Sequence, residues 1–326
     1  MKKIIIDIYG ADSGPVTIIK GVLNALEQYS DIGFVLVGNR KVIEEYCEIS
    51  ERIEIIETDD FISSDENPQV IFTGRDESSI ALGYKRLKED DECIGMISAG
   101  STGALLIGSI CRLGLLKGLK TPALSSNLPL YNGETVCLVD CGANIQCTAK
   151  DLARFALMGN AFRQSIKPDV TPKVALLSVG REDEKGTALT KEAFALIKDL
   201  PINFIGNAEG NDLVTGYADV IVADGFAGNI LLKSTEAAGI IAKNIVLNLA
   251  KQASREDDAL IKDIVEKLYL TFDFNVRGGA TFLGTKKTVI KMHGCATEET
   301  VGACIDQLLT LEKANFSEKI KQTLEA

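Results

Sequence analysis

Residues 96–106, Met96-Ile97-Ser98-Ala99-Gly100-Ser101-Thr102-Gly103-Ala104-Leu105-Leu106, read as a short strand, a glycine-containing turn and the start of a helix. Glycines let such a turn lie close to a ligand, and the hydroxyls of Ser101 and Thr102 add donors. The first N–H groups of the following helix lack partners of their own and favour an anion. The chemistry this pattern serves is the holding of a phosphate. Polar glycine turns recur at residues 7–15, 140–144, 180–186, 206–212, 224–229, 278–280 and 293–294. One such cluster alone is an ordinary turn or helix cap. Eight of them, nearly all directly after an expected strand, point to one ligand-binding sheet edge.

What is missing narrows the chemistry. No Gly-x-Gly occurs, so the dinucleotide fingerprint is absent. Residues 114–121 hold lysine and threonine, but Gly118 does not directly precede the lysine, so there is no Walker A loop. No Gly-x-Ser-x-Gly elbow occurs and His293 is the single histidine, which disfavours a serine–histidine–acid hydrolase.

The elements that must position these turns follow from hydrophobic period. Short runs rich in isoleucine and valine at 3–8, 34–37, 53–56, 93–98, 136–139, 174–178, 202–205, 220–223 and 289–291 predict strands. Amphipathic stretches such as 16–29, 78–88, 102–113, 150–164 and 187–198 predict helices between them. This alternation predicts an α/β chain of three α/β/α layers, with a mainly parallel sheet and ligands at the carboxyl ends of its strands. The whole of 1–326 is expected to be a single catalytic unit, or two close-packed lobes, with an inserted helical segment at 229–275. Long helices are expected there at 228–253 and 257–272. The face made by Ile261, Ile264, Val265, Leu268, Tyr269 and Phe272 is read as core or dimer interface in preference to a membrane surface.

Composition sets outer bounds. A net charge of −11 argues against a general nucleic-acid binder. Three local basic sets, Lys85/Arg86/Lys88, Arg112/Lys117/Lys120 and Arg277/Lys286/Lys287/Lys291, are each a solvated surface or a patch for an acidic partner protein. Eight cysteines lack zinc-site spacing, and Cys137, Cys141 and Cys147 read as packed thiols in a reducing compartment. The amino-terminal apolar run stops at Asp7 without a cleavage pattern, and no run approaches the roughly 20 residues of a membrane span. A cytoplasmic protein is expected.

The order of the motifs resembles a known family, the acyl-carrier-protein:phosphate acyltransferases (PlsX) of bacterial glycerolipid synthesis. The resemblance runs through almost the whole chain: Asp7-x-x-Gly10-x-Asp12-x-x-Pro15, Ser98-Ala99-Gly100-x-Thr102-Gly103-Ala104, Asp140-x-Gly142-Ala143-Asn144 and Lys185-Gly186. It continues through Gly206-Asn207-x-Glu209-Gly210-x-Asp212, Asp224-Gly225-Phe226-x-Gly228-Asn229, Gly278-Gly279-Ala280 and His293-Gly294. It implies transfer of a fatty acyl group from acyl carrier protein to inorganic phosphate, giving acyl phosphate for phospholipid synthesis. It also implies a fold related to phosphate acetyltransferases and to isocitrate and isopropylmalate dehydrogenases, usually as a homodimer, with peripheral membrane contact open and no cofactor or metal expected. Ala11, Ser101 and Thr281 stand where the family is expected to have glycine, asparagine and proline, and the helical segment is short.

Phosphate dianion can attack a thioester directly, so no acyl-enzyme is needed and the site has to position it and stabilise an oxyanion. On that reading Gly100, Ser101, Thr102 and Gly103 hold phosphate, and Lys185 supplies positive charge unless it merely balances the neighbouring acids 182–184. Asn144, Asn207 and Asn229 are neutral donors, and Asp224 orients one of them or a water. His293 donates to phosphate or carries a proton to the leaving thiolate, although a lone histidine is more often only packed or solvated. Asp7 and Asp12 cap the first helix or fix loops that close on substrate, and Gly279 joins the substrate-binding set. Competing readings are a phosphate acetyl- or butyryltransferase using coenzyme A thioesters, a metal-dependent decarboxylating dehydrogenase, for which Asp219 and Asp224 are too thin a ligand cluster, and a non-enzymatic scaffold.

Overall fold

The computed structural model describes residues 1–130, 132–255, 258–272 and 278–325, with the side chains of Val214 and Tyr269 excepted. Asp257, Arg277 and the Tyr269 side chain, named above, lie outside the described residues. The chain begins β1 (Lys2–Asp7), α1 (Pro15–Gln28), β2 (Ile32–Gly38), α2 (Arg40–Tyr46), β3 (Ile53–Glu57), α3 (Val70–Thr73), α4 (Ser79–Glu89) and β4 (Cys93–Ser98). It continues with α5 (Thr102–Gly108), which runs into a π-helical turn Ser109–Leu113, then β5 (Ala123–Pro129), β6 (Thr135–Val139), α6 (Ala149–Ile166), β7 (Val174–Leu177), α7 (Ala188–Lys198) and β8 (Phe204–Ala208). After β9 (Val220–Val222) come α8 (Gly225–Gln252), α9 (Ala259–Phe272), β10 (Ala280–Leu283), β11 (Thr288–Lys291), α10 (Glu298–Lys313) and α11 (Phe316–Glu325).

Two compact units divide these elements. The first holds Met1–Ser125, Ala161–Val170 and Arg277–Ala326, and the second Ser126–Asn160 and Thr171–Val276. In the first, the strand order is β3-β2-β1-β4-β11-β10-β5, parallel except that β10 runs against both of its neighbours. Its strands are apolar on both faces because helices cover both. Ile4, Ile6, Phe34, Leu36, Ile97 and Ile290 are buried with α1 and α10 on one side. On the other side Gly83 of α4 lies against Met96 and Ile5. Each such fully buried aliphatic side chain contributes about 1.5–3 kcal/mol. Pro15 starts α1 where its missing N–H costs nothing, and Thr297 caps α10 by accepting from the Thr300 N–H.

In the second unit β6-β9-β7-β8 is wholly parallel. Gly159 of α6 lies against Val139 and Val220, and Phe194 of α7 meets Phe204 of β8 edge-on at 5.1 Å. The half-buried residues Ile261, Ile264, Val265, Leu268 and Phe272 of α9 belong to the face expected to be covered. Phe272 packs over Gly239 of α8. No helix among the described residues is long and apolar enough to cross a membrane.

The α/β class and the mainly parallel sheet with flanking helices are as the sequence predicts. The nine expected strands all form, β8 two residues later than expected, and β5 and β10 are additional. Ser125, Ser126 and Asn127 make β5 look like a loop, and four-residue β10 follows directly on paired glycines. The third basic set is dispersed. Lys287 donates to Asp90 O and pairs with Asp91, whereas Lys291 ends β11 and turns its ammonium into the adjoining loop. Arg86 pairs with Glu54 and Asp90, and Arg112 with Asp76.

Candidate active site

Strand register in the first unit aligns Asp7 with Ser98 and Lys291 with Ser98, so β1, β4 and β11 end together. Asp7 is wholly buried. Its carboxylate accepts from Ser98 Oγ at 2.7 Å and from the Tyr9 N–H at 3.1 Å. Burial pushes Asp7 up to about 6, against the opposing pull of the Ser98 and Tyr9 hydrogen bonds and the Lys291 charge. Ser98 Oγ in turn accepts from the Gly100 N–H at 3.0 Å. A buried acid on one strand thus fixes, through Ser98, the turn after another, and Asp7 has no surface left with which to touch substrate.

The turn itself divides into braced and open groups. Ser101 is the cap of α5: its Oγ accepts from the Ala104 N–H at 3.4 Å, and the residue is nearly buried. Asparagine caps equally well, which accounts for serine at this position. Gly103 is required by packing, since a Cβ there would lie 2.8 Å from Pro68. First-turn N–H groups have no intrahelical acceptor, and those of Thr102 and Gly103 show no partner among the described residues. Lys291 Nζ donates to Ala99 O at 3.0 Å and to Met292 O, placing a cation at the same turn.

Gly10 touches this turn directly. Its φ is +91°, and a Cβ on it would lie 2.5 Å from Gly100 Cα. Gly10 therefore carries the close approach and the left-handed backbone, while Ala11 has no positive φ and tolerates a side chain. The exposed Asp12 donates its N–H to Gly294 O at 2.7 Å, and its carboxylate stands over Gly294. Neither aspartate caps α1, whose cap position is Gly14. His293 is exposed, and its Nδ1 accepts from the Cys295 N–H at 3.3 Å. Gly279 precedes β10 instead of following a strand, yet it reaches this edge because β10 is antiparallel. Its N–H and C=O both bond Gln307, so it is a packing residue against Lys291 and offers no donor. Thr281 is buried and accepts from Gln307 Nε2 at 2.8 Å.

The second unit has its own set of turns. Asp140, wholly buried, accepts from the N–H groups of Gly142, Ala143 and Asn144 at 3.3, 3.1 and 2.6 Å and from Asn144 Nδ2 at 2.9 Å. Asn144 therefore directs its amide at Asp140. Asp224 caps α8, accepting from Phe226 and Ala227 N–H at 3.0 and 2.9 Å. One of its carboxylate oxygens thus fixes the start of a helix. Asn229 is exposed on the first turn of that helix beside Gly142.

Lys185 and Asn207 are joined through one atom. Glu182 O accepts from the Lys185 N–H at 3.0 Å and from Asn207 Nδ2 at 2.8 Å. Asn207 lies in β8, not in a turn, and its buried Oδ1 has no partner among the described residues. Lys185 is exposed and makes no ion pair among the described residues, while Asp183 pairs with Lys198. Arg181 holds the same turn by donating Nε to Asp212 at 3.1 Å and an amino group to its other oxygen, with Tyr217 4.4 Å beneath the guanidinium. Burial works against ionised Asp212, but Arg181 and the Glu209 N–H hold it below the usual carboxylate range.

The first unit thus collects Asp7, Asp12, Gly100 to Gly103, Gly279 and His293, and the second Asn144, Lys185, Asn207, Asp224 and Asn229. Sequence reasoning passed over Ser98, Lys291, Asp140 and the Arg181–Asp212 pair as individual residues. Each lies within or next to a turn already singled out, and position in the turn was the available signal. Among the described residues no three His, Cys, Asp or Glu side chains come together as metal ligands.

A family model described as "Fatty acid synthesis protein" matches residues 2–319. A phosphate acyltransferase of Bacillus cereus (strain B4264) is 37% identical over 307 residues, 94% of this chain and 93% of that protein. One from Thermoanaerobacterium thermosaccharolyticum is 37% identical over 329 residues, 99% of this chain and 97% of its own. Among solved structures, a branched-chain phosphotransacylase from Enterococcus faecalis V583 superposes with a TM-score of 0.61 at 16% identity, over 95% of this chain and 98% of its own. That likeness is one of fold.

Proposed function

The chain belongs to the fatty acid synthesis protein family of phosphate acyltransferases, and from that membership we propose that it transfers a fatty acyl group from acyl carrier protein to inorganic phosphate. The observation that carries the reading is the turn after β4, where the Thr102 and Gly103 N–H groups have no partner among the described residues, the Lys291 ammonium bonds Ala99 O, and a brace runs from Asp7 through Ser98. A phosphate oxygen attacks the thioester carbonyl, the new C–O bond forms as the C–S bond breaks, and the carrier leaves as a thiolate that takes up a proton. Products are acyl phosphate and the carrier thiol.

Each group has a task on this reading. The N–H groups of Thr102 and Gly103 and the Thr102 hydroxyl orient phosphate, and Ser101 holds the helix start in register. Lys185, unpaired among the described residues, is a cation suited to offset negative charge, and the exposed amide of Asn229 is a donor suited to an oxyanion. His293 delivers the proton to the departing sulfur from Nε2, since Nδ1 is an acceptor. Asp7, Asn144, Asn207 and Asp224 hold loops, and Asp12 secures the His293 loop through Gly294. A homodimer is part of the same reading: Ile230, Ile240, Ile241, Ile245 and Leu249 of α8 are exposed, and a second copy or a membrane surface would cover them. Sedimentation with and without anionic vesicles separates those two.

The deciding assay incubates the protein with acyl-acyl carrier protein and phosphate and traps acyl phosphate with hydroxylamine. Phosphate-dependent hydroxamate is expected, and its absence across several chain lengths would sink the proposal. Hydroxamate from acyl-coenzyme A alone would reassign the donor.

A further inference from the structure

Of the eight cysteines, only Cys111 and Cys295 are exposed. Burial pushes the thiol of Cys93 up to about 11 and that of Cys147 up to about 12, and raises Cys141 and Cys304 as well, which keeps these sulfurs protonated and inert. The two exposed thiols differ in their neighbours. Cys295 Sγ lies 3.0 Å from His293 Nδ1, and the Cys295 backbone N–H donates to the same nitrogen at 3.3 Å. A ring that accepts at Nδ1 carries its proton on Nε2, so the Nδ1 lone pair is turned toward the thiol. Cys111 has no such base, because His293 is the chain's single histidine. The loop is already in place: Gly294 O is held by the Asp12 N–H, and His293 O accepts from the Ala296 N–H at 3.2 Å.

A thiol and an imidazole nitrogen within hydrogen-bond reach, on a loop held by its own backbone bonds, can act as nucleophile and base. We propose that Cys295 is a modification site for peroxide-type oxidants, with His293 as the base that takes its proton. The sulfur attacks one oxygen of hydrogen peroxide, an S–O bond forms and the O–O bond breaks. His293 Nδ1 accepts the thiol proton and returns it to the departing hydroxide as water. Sulfur is oxidised by two electrons to a sulfenic acid, and peroxide is reduced by the same two. The assignment rests on this loop alone and stands whatever the acyl donor proves to be.

The full-length protein is treated with a limiting amount of iodoacetamide, or with hydrogen peroxide and dimedone, and the adducts are mapped by mass spectrometry. Cys295 is expected to react about fivefold or more faster than Cys111, to bear the dimedone adduct, and to slow to the Cys111 rate in His293→Gln. Equal rates at the two cysteines, a dimedone adduct absent from Cys295, or an unchanged Cys295 rate in His293→Gln overturns the assignment. Labelling of buried Cys304 in the variant would report unfolding, and the ratio of Cys295 to Cys111 in the unaltered protein then decides.

Discussion

The turn after β4 and the turn after β6 are built from the same ingredients and finished in opposite ways. Both follow a buried strand and contain glycine beside short polar residues. After β6, Asp140 turns its own carboxylate back on three successive N–H groups and an amide, so the turn is saturated from within. After β4 the carboxylate comes from a different strand, reaches only Gly100 through Ser98, and leaves the N–H groups of Thr102 and Gly103 without a partner among the described residues. Holding a loop and holding a ligand call for the same residue types. What separates them is how many donors the protein has already satisfied.

The largest test of this contrast is Asp140→Ala, which orphans four donors around a buried site and is expected to destabilise folding by about 3 kcal/mol or more in denaturant titration. A loss under about 1 kcal/mol would show that the second turn is not held from within.

Asp7 tests the other side through pH. Its pKa is raised from 3.8 to about 6, so the folded state binds the proton more tightly than the unfolded one and stability falls as pH rises from about 4 through 6. The swing is about 3 kcal/mol, and it should vanish in Asp7→Asn when unfolding free energy is followed against pH. An unchanged slope in the variant would assign the proton elsewhere.

Lys185→Ala should lower kcat/KM tenfold or more, about 1.4 kcal/mol, with stability unchanged because the residue is exposed and makes no ion pair among the described residues. Activity within about twofold removes Lys185 from the chemistry. The smallest effects belong to Ser101. Ser101→Ala should cost about 1 kcal/mol as a lost cap, and Ser101→Asn close to nothing, both read by thermal unfolding.

The alternation of strands and helices was legible because parallel strands are buried on both faces and read as continuous apolar runs. Strand β5 was not, because its polar run Ser125 to Asn127 reads as a loop and its strand partner is distant in sequence; Ser125 Oγ donates to Thr281 O. At the site, the glycine turns identified the right places but not the division of labour within them. Asp224 and Asp7 look alike as acids beside turns, yet one caps a helix and the other is a buried brace. Lys291 looked like surface charge because nothing local records that β11 ends alongside Ser98.

The carbonyl of Glu182, shared by Asn207 and the backbone of Lys185, has a consequence in time as well as in space. An exposed loop left to itself wanders over nanoseconds to microseconds. Asn207 belongs to a sheet strand, so the segment that carries Lys185 is tied by a hydrogen bond to regular structure. The ammonium's range is then set by rotation of its own side chain about a backbone anchored through Glu182 O.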